Sequence, residues 1–248
     1  MAARPLDPGG KAVARAVFGN GLWRLAAAGL AGAALAGCGS THTQGSATLW
    51  ITRDRGQHAL LVGTVKAGQT AMQALQHKVG VETSYGGRFV QSIDGVSGDR
   101  SGQRDWFYFI NGYEADSGAV DYTLHPGDVE WWDYRSWKHA IHVPVVVGAF
   151  PEPFLHGYGG KTRAAAIVFD SKALEPQARE LGKLIHAKAV KADEIGDANV
   201  LFLTKADVPL SATSSGAGKP VRFVIGPTAA RRLLADPKLV RFRYSGLR

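Results

Sequence analysis

Two short runs of Leu, Ile, Val and Thr, Thr48 to Arg53 and Ala59 to Val65, flank the turn cluster Asp54-Arg55-Gly56-Gln57. Runs of that length and composition, parted by a turn, predict a β-hairpin. The spacing then changes: Ala71, Met72, Leu75 and Val79 recur at helical intervals, Thr70 stands at the N-cap with Gln73 three residues later, and Gly80 follows as a stop. This is a capping box on one short helix. Strand pattern returns at Arg88 to Ile93, Trp106 to Ile110 and Val129 to Tyr134, the last entered through the turn Pro126-Gly127-Asp128. The order is ββαβββ.

That order predicts a β-grasp-like first domain over residues 47–138. Beyond it, Val143 to Ala149, Ala164 to Phe169, Val200 to Leu203, Val221 to Ile225 and Val240 to Tyr244 read as strands. Pro176 opens a helix to Lys188 with Leu181, Leu184 and Ile185 apolar, and Thr228 caps Ala229 to Leu234 ahead of Asp236-Pro237. Ser211 to Gly218 reads as a loop. The whole is α+β, and residues 139–248 form a small basic α+β sandwich domain of no recognised family.

The first 37 residues stand apart from this pattern. Arg15 and Arg24 precede an eleven-residue run of Leu, Ala and Gly, Leu25 to Leu35. As a helix it rises about 16 Å, roughly half the ~30 Å hydrocarbon core, which suits a cleaved signal peptide and not a span. The run ends in Leu35-Ala36-Gly37-Cys38, which resembles the lipobox of bacterial lipoproteins. The resemblance implies a diacylglycerol on Cys38, an outward-facing, lipid-anchored protein at the bacterial cell membrane, and a flexible tether over 38–46. Two acyl chains give the stable anchoring that one cannot.

Composition narrows the classes further. At 45% apolar and 20% charged residues the chain can bury a core, and its single cysteine excludes an internal disulfide or a Cys-rich zinc site. The formal charge of +8 is unevenly spread: residues 38–140 carry −2 and residues 141–248 carry +7. A basic half beside a membrane anchor points to anionic lipid or cell-wall polymer as a neighbour, and no nucleic-acid motif accompanies it.

The first domain carries a more specific resemblance. Four stretches appear in order: Ala67-Gly68-Gln69-Thr70-Ala71-Met72-Gln73-Ala74-Leu75, Gly87-Arg88-Phe89-Val90-Gln91-Ser92-Ile93-Asp94-Gly95, Asp105-Trp106-Phe107-Tyr108-Phe109-Ile110-Asn111-Gly112, and Tyr122-Thr123-Leu124-His125-Pro126-Gly127-Asp128-Val129-Glu130-Trp131. Together they resemble the transcobalamin-like C-terminal domain family. The resemblance covers about Thr48 to Tyr134. It implies a β-domain that closes over one face of cobalamin, with a vitamin transporter as partner, and no cofactor is otherwise required. The large helical domain that holds cobalamin in transcobalamin and intrinsic factor has no counterpart here.

Ten of the 23 aromatic residues lie between Trp106 and Trp137. On strands, Trp106 and Tyr108 share one face and Phe107 and Phe109 the other, while Trp132 and Tyr134 oppose Trp131. One set is expected in the core. The other either forms an exposed stacking platform for a flat ligand, or a docking face for a protein or glycan, or is covered by a helix or the second domain. Trp106, Tyr108, Tyr113, Trp131, Trp132 and Tyr134 are the expected ligand residues. Catalytic patterns are weaker. Gly160-Lys161-Thr162 lacks the first glycine of a phosphate loop, Gly95 to Asp99 lacks the end of a nucleophile elbow, and Asp94, Asp99 and Asp105 match no calcium spacing. His139 and His142 would pair only on a helix. Neither a catalytic set nor a metal site is therefore expected.

Overall fold

The computed structural model describes residues 45–190 and 195–247. The leader, Cys38 and the tether up to residue 44 lie outside the described residues. Ten elements form the first half: β1 (Ser46–Arg53), β2 (His58–Lys66), α1 (Ala71–Gln76), β3 (Val81–Ser84), β4 (Phe89–Ile93), β5 (Val96–Ser97), β6 (Arg104–Ile110), β7 (Tyr113–Glu114), β8 (Val129–Ser136) and the single turn α2 (Glu152–Leu155). The second half holds β9 (Ala165–Phe169), α3 (Glu175–Leu184), β10 (Lys188–Ala189), β11 (Asn199–Leu203), β12 (Ser211–Thr213), β13 (Arg222–Ile225) and α4 (Pro227–Ala235). The chain is an α+β protein, with three sheets among the described residues.

The first sheet has the order β2-β1-β8-β6-β7, with β1 antiparallel to β2 and parallel to β8. A parallel neighbour needs a crossover, and α1 with the small sheet β3-β4-β5 supplies it. The capping box on α1 is formed: the Gln73 amide donates to Thr70 Oγ1 at 3.1 Å, and the Thr70 amide donates to Gln73 Oε1 at 2.9 Å. Ala71, Met72, Ala74 and Leu75 bury one face of the helix against Leu49, Ile51, Trp106, Trp132 and Tyr134.

The opposite face of this sheet is also buried. Trp50, Phe109, Val129 and Trp131 form a core with Val146 and Ala149, closed by Phe242 and Tyr244 from the end of the chain. Trp50 meets Phe242 edge-on at 4.9 Å, and Trp131 meets Tyr244 at 5.6 Å. Residues 45–190 and 195–247 accordingly belong to one compact unit. The expected boundary near residue 139 is a change of sheet and not a separation in space. Trp131 lies at this seam, while Trp132 is in the core on the α1 side.

The second sheet has the order β10-β9-β11-β13-β12, parallel throughout except for β12. In register, Ile167, Leu201 and Phe223 point the same way, into one core with Ala178 and Leu181 of α3 and Ala229, Ala230 and Leu233 of α4. The expected sandwich is thus a mostly parallel sheet whose helices serve as crossovers. Local expectations also change: Ser211 to Thr213, expected in a loop, pairs as β12, and the helix expected to reach Lys188 ends at Leu184, with Lys188 in β10. Val143 to Ala149 is not a strand: Val145 makes one bridge to Tyr113 and Val147–Ala149 is a 3-10 turn. Val240 to Tyr244 is likewise irregular, with Phe242 at φ 65°. Val143 to Ala149 is apolar because it fills the space between the sheets, and Val240, Phe242 and Tyr244 are the inward positions of the closing segment, which strand-like composition alone does not distinguish from pairing. The cap of α4 is Gly226, with Pro227 in the first turn, and the Thr228 amide donates to Asp207 Oδ1 at 3.2 Å.

Candidate functional site

Burial decides which aromatics are available. Trp106, Tyr113, Trp131, Trp132 and Tyr134 are all buried, and of the six expected ligand residues only Tyr108 is half-buried. Neither face of the first sheet is an open stacking platform, so the docking expectation loses the surface it needed. Tyr113 belongs to the core of the second half and Trp131 to the seam. Trp106, Tyr108 and Trp132 are brought together. The Tyr108 and Trp132 rings stack at 4.8 Å with 18° between their planes, and Trp106 Nε1 donates to the Val96 carbonyl at 2.7 Å. The Tyr108 hydroxyl donates to the Ser117 carbonyl. Burial raises the pKa of that hydroxyl, so it remains a donor at neutral pH.

These three rings floor a recess of about 190 Å³, walled by Arg88, Phe89, Val90 and Ser117 to Ala119. Phe89 is 45% exposed and Tyr85, on the turn before it, is 82% exposed. On its other side Phe89 borders a second recess of about 380 Å³, lined by Glu82, Gln91, Ser97, Gly98, Arg100 and Asp105. Phe89 is therefore a ridge between an aromatic hollow and a polar one. Arg88 at the aromatic rim is held by Asp121 at 2.8 Å. Asp105 accepts from the Trp106 amide at 2.9 Å, and burial raises its pKa against that bond.

Phe89 was not among the expected ligand residues. The signal was there: Gln91 lies two positions on, shares its face of β4 and is polar, which marks that face as outward. Most of the aromatics crowded between Trp106 and Trp137 are core, as their size favours.

Beneath Trp132 lies Glu130, a carboxyl fully buried on the same face of β8. Trp132 Nε1 donates to its Oε1 at 2.6 Å, and Oε2 has no hydrogen-bond partner among the described residues. Burial pushes its pKa up to about 8, so it is neutral at pH 7. Asn111 also acts locally. It sits at φ 51° in the turn between β6 and β7, donates to Asp128 Oδ1 at 2.7 Å and accepts from the Val129 amide at 2.7 Å. Among the described residues no group of three or more His, Cys, Asp or Glu side chains is placed to hold a metal ion, and no helix is long and apolar enough to cross a membrane.

The recess, the ridge and the buried carboxyl all fall in one stretch of chain. Residues 68–136 match the family described as a domain of unknown function, DUF4430. The DUF4430 region takes in all four transcobalamin-like stretches except Ala67, and every residue expected to touch ligand. No curated protein matches the chain. Among solved structures, a candidate metal binding protein from Ruminococcus gnavus ATCC 29149 is 16% identical with a TM-score of 0.31, the match covering 38% of this chain and 98% of that one. Haptocorrin in complex with Cbi is 14% identical with a TM-score of 0.30, over 37% of this chain and 26% of that one. The chain thus spans about a quarter of the haptocorrin length.

Proposed function

We propose that the DUF4430 region binds a small planar ligand, cobalamin-like in type, across the Phe89 ridge, and hands it to a membrane transporter. The observation that carries this is the ridge itself: a large apolar ring held out of the core between an aromatic recess and a polar one. An exposed ring offers a flat ligand one face to stack on. Recesses of 190 and 380 Å³ fall below or near the bottom of the roughly 300–1,000 Å³ range of sites that enclose a ligand. The surface therefore suits a ligand held by one face and its edge substituents, with the other face left for a partner. Arg88, Gln91 and Arg100 supply donors for those substituents. Lipidation of Cys38 would keep the protein at the membrane where a transporter sits.

Titration of the full-length chain with cobalamin, followed by tryptophan fluorescence and corrected for inner-filter absorption, tests the reading. A saturable quench is expected, since Trp106 and Trp132 floor the recess. Phe89→Ala should weaken it about tenfold, the equivalent of the ~1.4 kcal/mol that one aromatic stacking contact supplies, and should leave the circular dichroism unchanged. A wild-type protein with no saturable response would overturn it.

A further inference from the structure

On the other face of the first sheet, away from the Phe89 ridge, the β1–β2 turn meets the end of the chain. Between them runs a groove of about 500 Å³ lined by Arg55, Gly56, Gln57, Leu239 and residues 241–245. Its charged residues are Arg55, Arg241 and Arg243. None of the three has a carboxylate partner among the described residues. Arg55 lies over the Tyr244 ring at 4.9 Å and Arg241 over the Trp50 ring at 5.4 Å. Only the Nε of Arg243 is committed, to the Leu239 carbonyl at 2.9 Å.

The carboxylates nearby are occupied elsewhere. Asp54 pairs with Arg104 and with His58 at 3.2 Å. Asp133 is buried and accepts from Thr52 Oγ1 at 2.6 Å, the Gly56 amide at 3.1 Å and the Tyr244 hydroxyl at 2.9 Å. The same contacts fix the groove's two walls. At Gly56 the backbone is left-handed, φ 78°, and an added Cβ would stand 1.7 Å from the Phe242 carbonyl oxygen. The guanidinium groups of Arg55 and Arg241 thus lie on aromatic faces and that of Arg243 is tied at its Nε, with their outer N–H groups free and no anion among the described residues to meet them.

We propose that this groove binds a phosphate group, as a free phosphoanion or as an anionic lipid headgroup. Planar guanidinium groups fix phosphate oxygens through paired N–H donors, and three already held, two by stacking and one through its Nε, lose less freedom on binding. The groove is independent of the ligand surface at Phe89, which lies on the α1 side of the sheet. A lipid source has a further feature in its favour: Leu60 and Val62 on edge strand β2 are each 53% exposed, and Val62 pairs in register with Trp50, under Arg241.

The test uses the full-length chain with two probes. Inorganic phosphate at constant ionic strength is read as a saturable rise in thermal midpoint against chloride, and phosphatidylglycerol vesicles are read as co-sedimentation in excess of phosphatidylcholine. An anchor at Cys38 contributes to both vesicles and drops out of the difference. Arg241→Gln with Arg243→Gln should weaken the response at least tenfold, and the Lys pair at the same positions should retain part of it. Lys219→Gln with Arg222→Gln, outside the groove, should leave it unchanged. If the Gln pair lowers the midpoint without ligand, Arg55→Gln on the facing wall carries the same comparison. A phosphate response alone identifies a free phosphoanion, and an excess on phosphatidylglycerol that Leu60→Ser with Val62→Ser reduces identifies the headgroup. The proposal fails if wild type responds to neither probe, or if the control pair weakens the response as much as the groove pair.

Discussion

Glu130 is a fully buried carboxyl whose pKa burial raises, and replacing it should change the pH dependence of stability. Its ordinary pKa is 4.5, and burial raises it to about 8 in the fold. Between those values the native state keeps a proton that the unfolded chain has released. Stability therefore falls as pH rises, by about 1.4 kcal/mol per pH unit, and the whole penalty of about 5 kcal/mol is in place above pH 8. Below pH 4.5 both states are protonated and the penalty vanishes. Glu130→Gln keeps the shape and the acceptor for Trp132 Nε1 but cannot ionise. Its amide N–H lacks an acceptor much as the protonated carboxyl's O–H does, so the two proteins should match near pH 5. By pH 8 the variant should be the more stable by about 3–4 kcal/mol. Urea denaturation at pH 5, 6, 7 and 8, with wild type and variant side by side, cancels every other titrating group. Parallel stability profiles, differing by less than ~1 kcal/mol between pH 5 and 8, would show that Glu130 ionises freely and is reached by water.

Three further outcomes rest on the seam between the sheets. Gly56→Ala places a methyl against the Phe242 carbonyl in a left-handed backbone, and should lower stability by about 2–4 kcal/mol, read as a drop in thermal midpoint; an unchanged midpoint would mean that the turn does not touch the chain end. Tyr244→Phe removes the one hydrogen bond to Asp133 Oδ2 and should cost about 1–3 kcal/mol in urea unfolding; a neutral result would place that oxygen in water. Residues 45–138 expressed alone would expose Trp50, Phe109 and Trp131, so the fragment should bind a hydrophobic dye and melt without cooperativity, whereas a sharp two-state melt would show that the first sheet needs no cover.

Much of the first half was legible from local pattern. The hairpin and the capping box at Thr70 and Gln73 depend on contacts within a few residues, and spacing reports such contacts directly, while β6 and β8 pair with distant strands but carry their own strand pattern. The α+β class followed, since alternating strand and helix signals survive any arrangement in space. In the second half β9, β11 and β13 were equally visible as short apolar runs. Val143 to Ala149 is as apolar, and Val240 to Tyr244 alternates like a half-buried strand, yet the first packs between the sheets and the second closes the seam.

The site shows the same division. The sequence by itself determined that aromatics crowd β6 and β8 and that alternation divides them between two faces. It could not say what lies against each face, because burial is set by residues more than a hundred positions away: Tyr244 reaches Asp133, and Phe242 reaches Trp50. Only the tertiary structure decided that both faces carry core, that Phe89 stands exposed between two recesses, and that Arg55 stands opposite Arg241 and Arg243 across a groove. The physical reason is that apolar composition fixes how much surface a segment must hide, while the fold as a whole fixes where that surface is hidden.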